Sequence, residues 1–135
     1  MPPILLVALG GAAGSAARFA LSGALNPPTP TPNSSPWSTF PTGTLVVNLI
    51  GCALIGLIAG WLTVGAADGS SSNPAWRPLL IAGVLGGFTT FSAFGMETVL
   101  MLRAGQLAPA ATYVVASTLL GITLAATGYA LTARN

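Results

Sequence analysis

Four long apolar stretches, at approximately 3–25, 43–64, 79–102 and 109–133, alternate with short polar segments. A hydrocarbon core of roughly 30 Å takes about 20 mostly apolar helical residues, so each stretch predicts a membrane-spanning helix. The expected fold class is an all-α membrane protein, with residues 1–135 forming one four-helix transmembrane domain. Between the first two spans, the segment 26–41 carries Pro27, Pro28, Pro30, Pro32, Pro36 and Pro41 among Ser, Thr and Asn. Such a run cannot hold a helix and predicts an extended, exposed loop. The linker 65–78 is flexible in composition, and 103–108 is short enough to force its flanking spans antiparallel. Met1-Pro2-Pro3 lacks the basic start of a secretory signal, so the first span is expected to be retained.

Composition sharpens this picture. Only Arg18, Arg77, Arg103, Arg134, Asp68 and Glu97 are charged, a share of 4%, where a soluble domain draws about a quarter of its residues from such types. Four scattered Arg make no basic stripe, so no nucleic-acid partner is expected. With no His and a single Cys52, the chain has no set for a zinc site, a Ser-His-Asp triad or a disulfide, and is not expected to be an enzyme. Arg77 and Arg134 fall on the side of both termini, against Arg103 and Arg18 on the other, so the rule that places cationic loops in the cytoplasm votes for neither orientation. Insertion in both directions is compatible with that balance, as is a single topology fixed by folding context.

Several residues interrupt the apolar monotony. Gly10 and Gly14, Gly56 and Gly60, and Gly83 and Gly87 each stand four apart, which puts small residues on one helix face. In the third span, Gly86-Gly87-Phe88-Thr89-Thr90-Phe91-Ser92-Ala93-Phe94 joins weak helix formers to backbone-competing hydroxyls. This composition suits a helix break whose freed carbonyls line a protein cavity, or an unbroken Gly-rich packing helix. Phe91 and Phe94 share a helix face, and their positive ring edges suit an anion pore as well as plain packing. Asn48 is the one amide in the second span; it serves either a pathway or an interhelical hydrogen bond. Tyr113, Ser117 and Gly121 follow one face of the fourth span. Arg18 and Glu97 are the ions inside spans, each near enough to an end to snorkel.

Taken together, these motifs resemble the CrcB/Fluc family of bacterial fluoride channels. The resemblance covers Gly10 to Gly14 with Arg18-Phe19, Gly43-Thr44-Leu45-Val46-Val47-Asn48-Leu49-Ile50-Gly51, the third-span motif with Glu97, and Tyr113, Ser117 and Gly121. It implies an antiparallel dual-topology homodimer in the bacterial cell membrane, or a heterodimer with a paralogous chain. By resemblance, the backbone carbonyls of Gly86 and Thr89 from both chains hold a structural sodium ion at the dimer centre, with no organic cofactor. Asn48, Phe91, Phe94, Ser92, Ser117 and Tyr113 line the fluoride pathway, and Arg18 draws anions to its entrance. The implied role is passive export of fluoride trapped in the cytoplasm after hydrogen fluoride enters. The chain departs from the family in two places: Ala93 stands where a second hydroxyl is common, and the Pro-rich loop is long. A small dual-topology multidrug antiporter is the main alternative, but such transporters need a carboxylate in the first span, where this chain has Arg18. A non-transporting membrane scaffold would leave Asn48 and the third-span motif without a task.

Overall fold

The computed structural model describes residues 1–27, 35–67 and 76–133; Asp68 and Arg134, and with Arg134 its part in the charge balance, lie outside the described residues. Four helical stretches are long and apolar enough to cross a membrane: Pro3–Leu25, Thr42–Thr63, Pro78–Arg103 and Leu107–Thr132. All regular structure among the described residues is helical.

Helix α1 spans Pro3–Leu25. Proline suits its first turn because the missing N–H would have no partner there. The helix stops because Pro27 forces Asn26 into an extended conformation, with ψ at 140°. The loop that follows is not extended throughout its described part: Pro36–Thr39 forms a 3-10 turn, with Ser35 accepting from Trp37 N–H. Local hydroxyl capping supplies the bonds that a composition-based reading withheld from this Pro-rich stretch. The loop is pinned where α2, Thr42–Ala67, begins: Thr42 Oγ1 donates to Leu25 O, and Gly43 N–H donates to Asn26 Oδ1 at 3.0 Å.

The third span has three parts. Residues 78–88 form α3, in which Pro78–Leu85 is wound as a π-helix and Gly86–Phe88 returns to α geometry. The wider winding is visible at Gly86, whose N–H reaches back five residues to Ile81 O. Thr89 and Thr90 are extended, with ψ at 158° and 116°. Helix α4, Phe91–Arg103, then starts with Thr90 as its N-cap, accepting from Ala93 N–H at 3.2 Å. At its end Gly105 takes φ of 73°, Gly105 N–H bonds to Leu102 O, and Gln106 N–H bonds to Met101 O. These paired bonds form a Schellman turn, which favours glycine because a Cβ is strained at positive φ. The chain reverses within 104–106 into α5, Leu107–Thr132, which starts two residues before the expected 109 because Pro109 is tolerated in the first helical turn.

Packing joins the helices in two pairs, α1 against α3 and α2 against α5. Lipid tails are as apolar as Leu, so association inside a membrane rests on close van der Waals packing and interhelical hydrogen bonds. The α1–α3 seam is that kind of contact: a Cβ at Gly14 would overlap Val84 O, and one at Gly87 would overlap Gly11 O. Where α4 meets α5, Tyr113 is fully enclosed and Met101 and Ala110 nearly so, with Phe40, Leu45 and Phe94 packed against them. Trp61 stacks at a tilt on Trp76 at one end of the bundle, and Trp37 on Phe40 at the other, as aromatic belts at membrane interfaces do.

Candidate functional site: a groove beside the extended pair

The extended residues Thr89 and Thr90 expose peptide groups that a continuous helix would satisfy internally, and inside a membrane these groups need protein partners. Asn48 supplies them for Thr90. Its Nδ2 donates to Thr90 O at 3.0 Å, and its Oδ1 accepts from Thr90 N–H at 2.8 Å, so one side chain replaces a two-bond backbone pairing. Upstream, Thr89 donates to Leu85 O through both its N–H and its hydroxyl, each at 3.0 Å. Gly87 O accepts from Arg18 Nε at 3.1 Å and lies 3.4 Å from the Ser15 hydroxyl. Because the Thr90 N–H goes to Asn48, Gly86 O is left without its helical i+4 donor.

A groove of about 430 Å³ opens alongside, lined by Asn48, Gly86, Thr89, Thr90, Phe91, Phe94, Ser117 and Thr118, with Cys52, two glycines and aliphatic side chains completing it; Thr118 is a groove hydroxyl that the sequence reading did not single out. Its wall is mostly apolar and, among the described residues, holds no charged side chain. Ser117 Oγ is buried there without a hydrogen-bond partner among the described residues. Phe91 is 83% exposed in the single chain. It begins a line of rings: Phe91 to Phe94 at 5.5 Å, Phe94 to Tyr113 at 5.1 Å, and Tyr113 to Phe40 edge-on at 5.6 Å.

The predicted site residues divide accordingly. Asn48, Gly86, Thr89, Phe91, Phe94 and Ser117 meet at the groove; Ser92, Tyr113 and Arg18 do not line it. Ser92 is exposed, 3.3 Å from the Thr90 hydroxyl. Arg18 is half-buried with Nε turned to the backbone of Gly87. Tyr113 is fully buried, and its hydroxyl donates to Glu97 Oε2 at 2.6 Å. Thr44 donates to Glu97 Oε1 at 2.7 Å, so the carboxylate is clamped between α2 and α5. Glu97 therefore does not snorkel: the two hydroxyls supply inside the bundle what water would supply at the interface. Sequence reasoning gave Thr44 no role, because its partner lies 53 residues away and a lone Thr in a span carries no signal. Among the described residues no three of His, Cys, Asp and Glu come together, so the oxygens open to a cation in this region are neutral ones, backbone carbonyls such as Gly86 O and the side-chain oxygens of the groove.

Comparison with known proteins gives the chain a family. The family model described as CrcB-like protein, Camphor Resistance (CrcB), matches residues 5–129. A Methylobacillus flagellatus protein named fluoride-specific ion channel FluC is 47% identical over 131 residues, covering 97% of this chain and 94% of its own. Proteins of the same name from Caulobacter vibrioides and Aquifex aeolicus are 45% and 40% identical; the alignments cover 90% and 97% of this chain, and 88% and 97% of theirs. With a carboxylate absent from α1 and a family model spanning all four helices, the antiporter alternative falls, and the chain belongs to the CrcB family of multi-pass membrane proteins.

Proposed function

We propose that the chain forms a fluoride-selective channel that lets cytoplasmic fluoride leave the cell passively, and that it does so as an antiparallel pair of identical chains. The observation that carries the reading is the uncharged groove in which Asn48, the Phe91 and Phe94 rings and the unpartnered Ser117 hydroxyl converge beside the extended pair. Its relatives' name adds the ion.

An ion entering a low-dielectric interior loses hydration worth on the order of tens of kcal/mol by idealised Born estimates, so donors along the way must replace its water. Asn48 uses one amide hydrogen on Thr90 O and keeps a second. Ser117 offers a hydroxyl, and the phenylalanine edges offer weak positive charge. None is a full cation, and conduction requires sites weak enough to release the ion. Tyr113, fully buried with its hydroxyl committed to Glu97, backs the Phe94 ring from behind the groove, and Ser92 extends the polar track beyond it. A second copy packed over the groove would cover the exposed Phe91 ring and close the pathway on its open side.

Gly86 and Thr89 fit the sodium site implied by the resemblance. Both line the groove at the interruption, Gly86 O lacks its helical donor, and peptide carbonyls are hard oxygen ligands of the kind sodium takes in discontinuous membrane helices. When bound, the ion would supply structural charge between the two chains and take no part in fluoride transfer.

The test is anion efflux from liposomes that contain only the purified chain, read with fluoride and chloride electrodes. Rapid fluoride loss with chloride retained is the expected result; equal loss of both ions, or of neither, overturns it.

A further inference from the structure

Resting on the channel reading, we infer that Arg18 is a positioning residue: its Nε–H holds the Gly87 carbonyl and so sets the end of α3 from which the pathway ring Phe91 departs. In a continuous helix Gly87 O would accept from Phe91 N–H; with Thr89 and Thr90 extended, its donors come from α1 instead, Arg18 Nε at 3.1 Å and Ser15 Oγ at 3.4 Å. The approach is built into both chains of contact. Gly87 lies directly against Gly11, and Gly14 against Val84 and Phe88, so the α1 backbone comes close enough for Arg18, one turn beyond Gly14, to reach the carbonyl. Asn48 grips Thr90 from α2 on the other side. The extended pair is thereby fixed at both ends, by α1 at Gly87 and by α2 at Thr90, and Phe91 leaves in one direction only.

A guanidinium also carries charge, and an entrance attractor would act through that charge alone. The two roles separate chemically. In Gln the side-chain amide nitrogen is attached to Cδ, as Nε is in Arg, so Arg18→Gln keeps a donor at the same reach and removes the charge. Arg18→Met removes both.

The experiment compares fluoride efflux of the full chain, Arg18→Gln and Arg18→Met in liposomes, together with amide hydrogen exchange of the 86–94 segment. Positioning predicts that Gln stays within about twofold of the parent chain while Met falls by about tenfold, the scale of one lost hydrogen bond to a charged group. Faster exchange over 86–94 should accompany Met and not Gln. Equal losses in Gln and Met with unchanged exchange, or no loss in either, overturn the inference. Should Met fail to fold, Arg18→Lys replaces it, keeping the charge but moving the donor one atom beyond Nε: lost flux and faster 86–94 exchange in Lys but not in Gln supports positioning, and any other pattern overturns it. If the parent chain itself passes no fluoride, the channel reading fails, and the exchange comparison still reports whether Arg18 holds Gly87.

Discussion

Asn48 shows how much one side chain can carry inside a membrane. It meets both the N–H and the C=O of Thr90: the N–H has no helical partner, while the C=O, at the N-cap of α4, also accepts the first intrahelical bond. Asn48→Ala strands the Thr90 N–H, at about 1–3 kcal/mol for a buried unsatisfied group, and removes the second bond to the Thr90 C=O. We therefore expect a lowered thermal midpoint in detergent together with loss of fluoride flux; an unchanged midpoint would mean that Thr90 finds other partners. The sequence marked Asn48 as the polar residue of its span but left its use open between pathway and hydrogen bond. The structure uses one donor and the acceptor for the bond, and one amide hydrogen remains. Arg18 and Tyr113 are legible as polar residues in the same way, yet their partners, Gly87 and Glu97, could not be read from spacing, because each contact joins different spans.

At the scale of elements, the glycines divide by what surrounds them. Gly14 sits in the α1–α3 seam, where a Cβ would overlap Val84 O, while Gly23 on the same helix faces open space. Gly14→Ala should force the helices apart and reduce the yield of folded protein. Gly23→Ala should be tolerated, or should stabilise by about 0.5–1 kcal/mol through helix propensity. Size-exclusion profiles and thermal midpoints of the two variants, measured side by side, check this; equal behaviour would remove close packing as the reason for glycine at position 14. The four-residue Gly spacing announced a small-residue face on three spans. Which helix each face meets was settled by packing: α1 takes α3, and α2 takes α5.

For the whole molecule, the balance of Arg18 and Arg103 against Arg77 and Arg134 gives no directional preference, and the groove lies open along the ring of Phe91. Both features suit the proposed pair of opposed copies. A cysteine placed at the exposed Ala104, between α4 and α5, in a Cys52→Ser background reports the orientation. An impermeant maleimide applied to intact cells should label about half of the copies, as a chain without a cationic bias predicts, and the rest only after permeabilisation. Labelling of all or of none from outside would establish a single topology and end the dual-topology reading.

The amino-acid sequence by itself determined the four membrane spans, because crossing a bilayer depends on local apolarity and a helix closes its own backbone bonds. It also marked the third span as the weak helix, since propensity is a property of neighbours in sequence. Only the tertiary structure decided how that weakness resolves: which peptide groups leave the helix, that Asn48 and Arg18 receive them, and that Glu97 is clamped by Thr44 and Tyr113. Those bonds join residues from 16 to 69 positions apart, and a hydrogen bond is specified by where two atoms meet in space, which no local pattern encodes.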